Sequence, residues 1–189
     1  MKLRPPKNQN KLYKIASGQG GYFTAQQATS AGYYSRLQHY HREQGHWLAI
    51  DRGIFRLRNF PNSNWEDFIH WFLWSRNKQG HPQAVISHQT AATFHQLADF
   101  LSPKIHLTVP VGFRRKAPEG LILHKGALQP DDIELQEGFQ ITKPFRTLQD
   151  LQNSHAEPDQ VLQAIEDAAK RGLIRRDQRD QLLSAGKLR

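Results

Sequence analysis

A chain of 189 residues is long enough to bury two small cores, and its lack of cysteine excludes a disulfide framework, a thiolate zinc site and thiol catalysis. Its formal net charge of +9 is unevenly placed: residues 1–60 hold ten Lys and Arg against Glu43 and Asp51, whereas the other 129 residues carry 16 cations against 15 acids. A field concentrated at one end points to a polyanion meeting that end, most simply nucleic acid.

In chain order, Leu12, Ile15 and Ala16 fall at i, i+3 and i+4, which predicts an amphipathic helix over residues 8–17 that is ended by Gly18, Gly20 and Gly21. Thr24 and Gln27 fit a capping box, so a second short helix is expected to run to Ala31. A third helix is predicted from Tyr33 to Gln44, with Tyr33, Leu37, Tyr40 and His41 inward. That rotation turns Ser35, Arg36, His39 and Arg42 outward, a polar and cationic face suited to a major groove.

Residues 46–50 and 54–58 read as two strands joined by a tight turn at Asp51-Arg52-Gly53. Period two places Phe55 and Leu57 on one face of this hairpin and Arg56 and Arg58 on the other. Three helices followed by a basic hairpin are the pattern of a winged helix-turn-helix. The candidate DNA-contacting residues are Thr24, Ser35, Arg36, Gln38, His39, Arg42, Arg52, Arg56 and Arg58. Base reading and plain phosphate contact are both open for Arg36, because half or more of protein–DNA hydrogen bonds go to the backbone.

Residues 61–64 read as a linker, so the expected domains are 1–60, a DNA-binding winged helix, and 64–189, an α+β domain. The second is expected to open with a helix from Trp65 to about Asn77, buried through Trp65, Phe68, Ile69, Phe72 and Leu73, with Trp71 and Trp74 widening the apolar face. Residues 84–86 form a short apolar run, Ser87 or His88 caps a helix through Leu97, and residues 104–109 and 121–124 are predicted strands. The basic turn between them, Phe113-Arg-Arg-Lys116, suits a wider DNA footprint, an acidic partner or a plain exposed loop. Thr142 before Lys143-Pro144 suits an N-cap. A helix over 158–171 carries Val161, Leu162, Ile165 and Ala168, and a last one spans about 176–184.

Chemistry-bearing clusters are weak. His39 and His41 point to different sides of a helix, His88 and His95 are two turns apart, and His106 and His124 are potential strand neighbours without a third ligand. Ser87, His88 and Asp99 are the residue types of a hydrolytic triad but lack a nucleophile-elbow pattern. Asp150, Glu166 and Asp167 would be the acids of a metal-dependent nuclease, and solvated helix faces explain them more simply. No Walker or dinucleotide glycine motif occurs. The expectation is a non-enzymatic protein with no catalytic residues, metal or cofactor. Trp65 to Trp74, the most apolar segment, is too short and too interrupted for a membrane span, and the first ten residues lack a signal-peptide core. No membrane partner and a cytoplasmic location are therefore expected.

Gly21-Tyr-Phe-Thr-Ala-Gln-Gln-Ala28, Gly32, Leu37 and Asp51-Arg-Gly-Ile-Phe-Arg-Leu57 resemble the N-terminal winged helix of the AbiEi family, antitoxins of bacterial type IV toxin-antitoxin systems. Val85-Ile-Ser-His-Gln-Thr-Ala91, Ile105-His-Leu-Thr-Val109, Gly138, Ile141-Thr142 and Arg146-Thr-Leu-Gln-Asp-Leu151 resemble its second domain. The resemblance implies a repressor that binds double-stranded operator DNA of its own operon and counters a nucleotidyltransferase-like toxin, without requiring direct contact with it. The alternatives are a stand-alone winged-helix regulator and a metal-dependent nucleic-acid enzyme.

Overall fold

The computed structural model describes residues 7–98, 100, 102–154 and 156–186. The fold is α+β, as expected, and the chain divides into two compact units: Met1–Gln83 with Gln136–Phe139, and Ala84–Leu135 with Gln140–Arg189.

In the first unit the order is α1 (Lys7–Ser17), β1 (Tyr22–Thr24), α2 (Ala25–Ser30), α3 (Ser35–Glu43), β2 (Trp47–Asp51), β3 (Ile54–Leu57) and α4 (Glu66–Trp74). This is the order of a winged helix-turn-helix. The strands form an antiparallel sheet with β3 in the middle, flanked by β1 and β2. One face covers a core of Leu12, Ala16, Phe23, Ala28, Ala31, Tyr33, Trp47 and Phe55. Phe23 meets Trp47 edge-on at 4.8 Å, an arrangement favoured by the ring quadrupoles.

Residues 66–74 were expected in the second domain, but α4 packs on β1 and β3 and belongs to the first unit. Its inward residues are Ile69 and Leu73, whereas Trp65, expected in the buried stripe, lies just before the helix and is exposed. The sheet is therefore covered on both faces. That cover decides the fate of one candidate site residue, Arg56.

The second unit has a five-stranded sheet in the order β6-β5-β4-β8-β7, built from β4 (Val85–Ile86), β5 (Ile105–Val109), β6 (Leu121–Lys125), β7 (Ile133–Gln136) and β8 (Phe139–Thr142). β4 runs antiparallel to β5 and parallel to β8, and β5 runs parallel to β6. Helices α5 (His88–Phe94), α6 (Pro144–Gln152), α7 (Pro158–Lys170) and α8 (Arg176–Gly186) complete it. Ala92, Leu97, Leu148, Leu151, Val161, Ala164, Ile165, Ala168 and Leu182 form its helical core. In α7 the buried stripe passes through Ala164, while Leu162 stays on the open side.

Two expected caps are replaced. Ser87 precedes α5 without a side-chain capping bond, because its hydroxyl is taken up by Thr108 and His88. Thr142 is buried at the end of β8, where its hydroxyl meets that of Thr147; Lys143 occupies the cap position, with Pro144 opening α6.

Candidate nucleic-acid interface

Helix α3 reaches its place through a glycine turn and one side chain. Gly32, at a φ of +93°, lets the chain leave α2, and the Gln38 amide nitrogen lies 3.0 Å from Ala25 O, 2.7 Å from Tyr33 O and 3.0 Å from Thr29 Oγ1. Gln38 thus ties α3 to α2 and to the turn between them. It positions the helix and does not reach outward.

With Gln38 and His41 inward, Arg36 lies on the opposite side of α3, and no residue of the helix is fully buried. Ser35, Arg36, His39 and Arg42 are all exposed, as predicted. The predicted inner face is only half right. Tyr33 is buried and His41 stacks on Trp47 at 4.9 Å, but Leu37 is 43% exposed and Tyr40 51%. Tyr40 therefore stands on the open face beside Arg36. Periodicity assigned the two apolar residues inward, whereas the bonds of Gln38 rotate the helix so that a polar residue faces the body.

Arg42 lies 3.3 Å from His39 Nδ1 through Nη2, and its guanidinium carbon is 5.8 Å from the Phe55 ring centroid. These contacts hold it against β3 of the hairpin while leaving it open to solvent. His41 Nδ1 and His46 Nδ1 are 3.1 Å apart, and burial followed by the neighbouring His46 lowers the pKa of His41.

The hairpin of β2 and β3 is the wing. Asp51 pairs with Ile54, leaving Arg52 and Gly53 as a two-residue turn, with an irregularity at Ile50. Gly53 adopts a φ of +69°, which glycine enters without steric cost. Arg76 braces this turn by donating to Arg52 O at 2.9 Å, so the Arg52 side chain projects from a fixed backbone. Arg52 and Arg58 are exposed.

Arg56 and Thr24 are not part of this surface. Arg56 is 5% exposed; its Nη2 lies 3.0 Å from Glu66 Oε1 and 3.0 Å from Phe60 O, and its guanidinium sits over the Tyr22 ring. Alternation along β3 is correct, but the face opposite Phe55 is covered by α4. Thr24 is buried and committed to the capping box: Gln27 N donates to Thr24 Oγ1 at 3.2 Å, and Thr24 N donates to Gln27 Oε1 at 2.8 Å. The surface left by geometry is Ser35, Arg36, His39 and Arg42 on α3, with Arg52 and Arg58 on the hairpin. Among the described residues no ion pair engages any of these arginines.

The acids considered for metal chemistry are spoken for. Asp150 accepts from Arg146 at 2.8 Å, Glu166 from Arg179 at 2.6 Å and Asp167 from Arg171 at 3.0 Å. Burial raises the pKa of Asp150 against the opposing effect of Arg146. Among the described residues no three His, Asp or Glu side chains are arranged to hold a metal ion. Asp99 of the proposed triad lies outside the described residues. His106 and His124 are indeed neighbours, with Nδ1 and Nε2 3.0 Å apart, and His88 stacks on His124, a contact that spacing did not reveal. No described helix is long and apolar enough to cross a membrane.

No family model and no curated protein matches the chain. Among solved structures it is similar to the RV2827C protein from Mycobacterium tuberculosis, with a TM-score of 0.52 and 14% identity over 96% of this chain and 72% of that one. At that identity the likeness extends to the fold alone.

Proposed function

We propose that this chain is a DNA-binding regulator that represses its own operon and acts, without enzymatic activity of its own, as the antitoxin of a type IV toxin-antitoxin system. The observation that carries the DNA-binding half is the exposed set Ser35, Arg36, His39 and Arg42 on a helix held by Gln38, beside a braced hairpin tip bearing Arg52. A helix of this charge fits a major groove, and Arg52 fits a phosphate or a narrow minor groove, where the negative potential is enhanced. The antitoxin half rests on the resemblance of residues 85–91, 105–109 and 146–151 to the AbiEi family. Its functional partner is a nucleotidyltransferase-like toxin in the cytoplasm, countered with or without direct contact.

The test is binding of the purified chain to a duplex taken from immediately upstream of its own gene, compared with a scrambled duplex. If about five phosphates are neutralised, log K falls against log salt with a slope of about −4.5. The Arg36→Ala and Arg42→Ala double variant is expected to bind at least about tenfold more weakly, the loss of one to two charged contacts. Unchanged affinity removes α3 from the interface. Failure of the chain to restore growth when co-expressed with the nucleotidyltransferase-type gene beside its own removes the antitoxin half.

A further inference from the structure

The second unit contains a cluster that the DNA-binding reading does not use. His88, at the start of α5, His106 on β5 and His124 on β6 form a stack of imidazoles: His88 and His124 have ring centroids 3.5 Å apart and planes 12° apart, and His124 and His106 are 5.2 Å apart. His88 and His106 are buried, and His124 is partly so. His88 also holds a φ of +53°, a left-handed backbone that few non-glycine residues adopt. The stacked rings direct their lone pairs along parallel planes instead of toward one point, which disfavours a shared metal.

The hydrogen bonds determine how each ring is protonated. Ser102 Oγ donates to Lys104 O at 2.8 Å, so at Ser102 it is His106 Nε2, 3.1 Å away, that donates. A neutral His106 then accepts at Nδ1, and His124 Nε2 is the donor across the 3.0 Å bond. Thr108 donates to Ser87 Oγ at 2.8 Å, which leaves the Ser87 hydroxyl hydrogen for His88 Nδ1 at 2.9 Å. A proton added at His106 Nδ1 therefore opposes the His124 N–H across their bond, and one added at His88 Nδ1 obliges the Ser87 hydroxyl to give up its own donation to that ring.

Among the described residues the surroundings provide no counter-charge. The charged group of α6 that bears on His88 is Arg146, a cation already shared between Asp132 and Asp150. β5 and β6 contribute each other's imidazoles, and among the described residues no carboxylate bears on any of the three rings. Burial first, then the neighbouring imidazoles, lowers His88 to about 3 and His106 to about 4, and burial lowers His124.

We propose that His88, His106 and His124 are an acid-sensitive latch that ties the start of α5 to the β5 and β6 strands, and that mild acid opens this edge of the second unit. The rings are neutral in the closed form, whereas rings released to solvent take up protons below pH 6.5. The latch is thus fully closed above that pH and weakens progressively as the pH falls toward the lowered values.

The test is amide hydrogen exchange of the full chain at pH 7.5 and pH 5.0, corrected for intrinsic rates, with tryptophan fluorescence reporting on the first unit. Protection of residues 105–109 and 121–125 is expected to fall by about thirtyfold for each imidazole that is protonated on opening. The wavelength of maximum tryptophan emission, which reports unfolding of the first unit where intensity also reports the histidine stacked on Trp47, is expected to hold steady. In His124→Phe, which keeps a stacking ring but cannot titrate, the fall between the two pH values is expected to be smaller, because burial lowers the pKa of His124 in the closed form. Equal protection at both pH values, or the same fall in the variant, overturns the latch. Ring-proton NMR of the unaltered chain tests it without a substitution: two histidines that do not titrate above pH 5, with His124 lowered beside them, support it, and uniform titration of all ten near pH 6.5 overturns it.

Discussion

Arg56 on β3 and Glu66 on α4 meet at 3.0 Å, joining the central strand of the winged-helix sheet to the helix that covers its second face. Arg56 Nη2 also lies 3.0 Å from Pro61 O and 2.9 Å from Asn62 Oδ1, so one guanidinium organises the whole passage from wing to α4. Arg56→Ala is expected to destabilise the first unit by about 3 kcal/mol, the scale for removing one partner of a buried ion pair. Urea denaturation followed by tryptophan fluorescence checks this, since Trp47, Trp65, Trp71 and Trp74 all lie in that unit. The salt slope of the proposed DNA binding is expected to stay unchanged. A slope reduced by one phosphate with full stability would place Arg56 at the interface after all.

Gln38 and Thr24 act by positioning. Thr24→Ala removes the capping box of α2 and is expected to cost about 1 kcal/mol in thermal or urea unfolding. Gln38→Ala releases α3 from Ala25 O and Tyr33 O and is expected to weaken DNA binding several-fold while leaving the salt slope as it was. Arg36→Ala, by contrast, is expected to lower the slope by about 0.9 if Arg36 meets one phosphate. Equal slopes for the two variants would remove this separation of roles.

Tyr22 provides an alkaline probe of the same α4 contact. Burial, then the Glu66 carboxylate 3.4 Å from its hydroxyl, raises its pKa to about 12 from an unfolded value of 10.0. Its contribution to stability is complete below pH 10 and is lost as the pH rises toward 12. Absorbance at the tyrosinate wavelength during alkaline titration is expected to show a late component, to which the buried Tyr33 contributes as well, and Tyr22→Phe is expected to lower its amplitude by one phenol. If the variant retains the full amplitude, the phenol is not held as described.

The first three helices and the hairpin of the first unit were legible because each has a local signature, whereas the strand at Tyr22–Thr24 was not, since three residues carry no periodicity and its pairing with β3 is a long-range contact. Leu12 and Ala16 at helical spacing, the Thr24 and Gln27 pair, and Gly53 in a two-residue turn are determined by neighbours a few residues away. The exposure of Arg36, His39 and Arg42 followed as well, since cations on a helix rotate to water unless something pairs them. The rotation of Leu37 and Tyr40 did not follow. Apolar periodicity presumes that apolar residues face the core, and in α3 the hydrogen bonds of Gln38 outweigh that preference.

The sequence by itself determined that this is an α+β chain whose positive charge gathers on a winged-helix module, because charge count, caps and turns are local properties. Only the tertiary structure decided which cations of that module are available. Arg52 projects because Arg76 braces its turn, and Arg56 is withdrawn because α4, ten residues further along the chain, covers its face and supplies Glu66. The three histidines belong to the same category. His88, His106 and His124 are separated by 18 residues at each step and become a stack only when β5 pairs in parallel with β6 and the start of α5 is laid against them. Side-chain spacing specifies an element's faces, but what covers each face is set by segments distant in the chain.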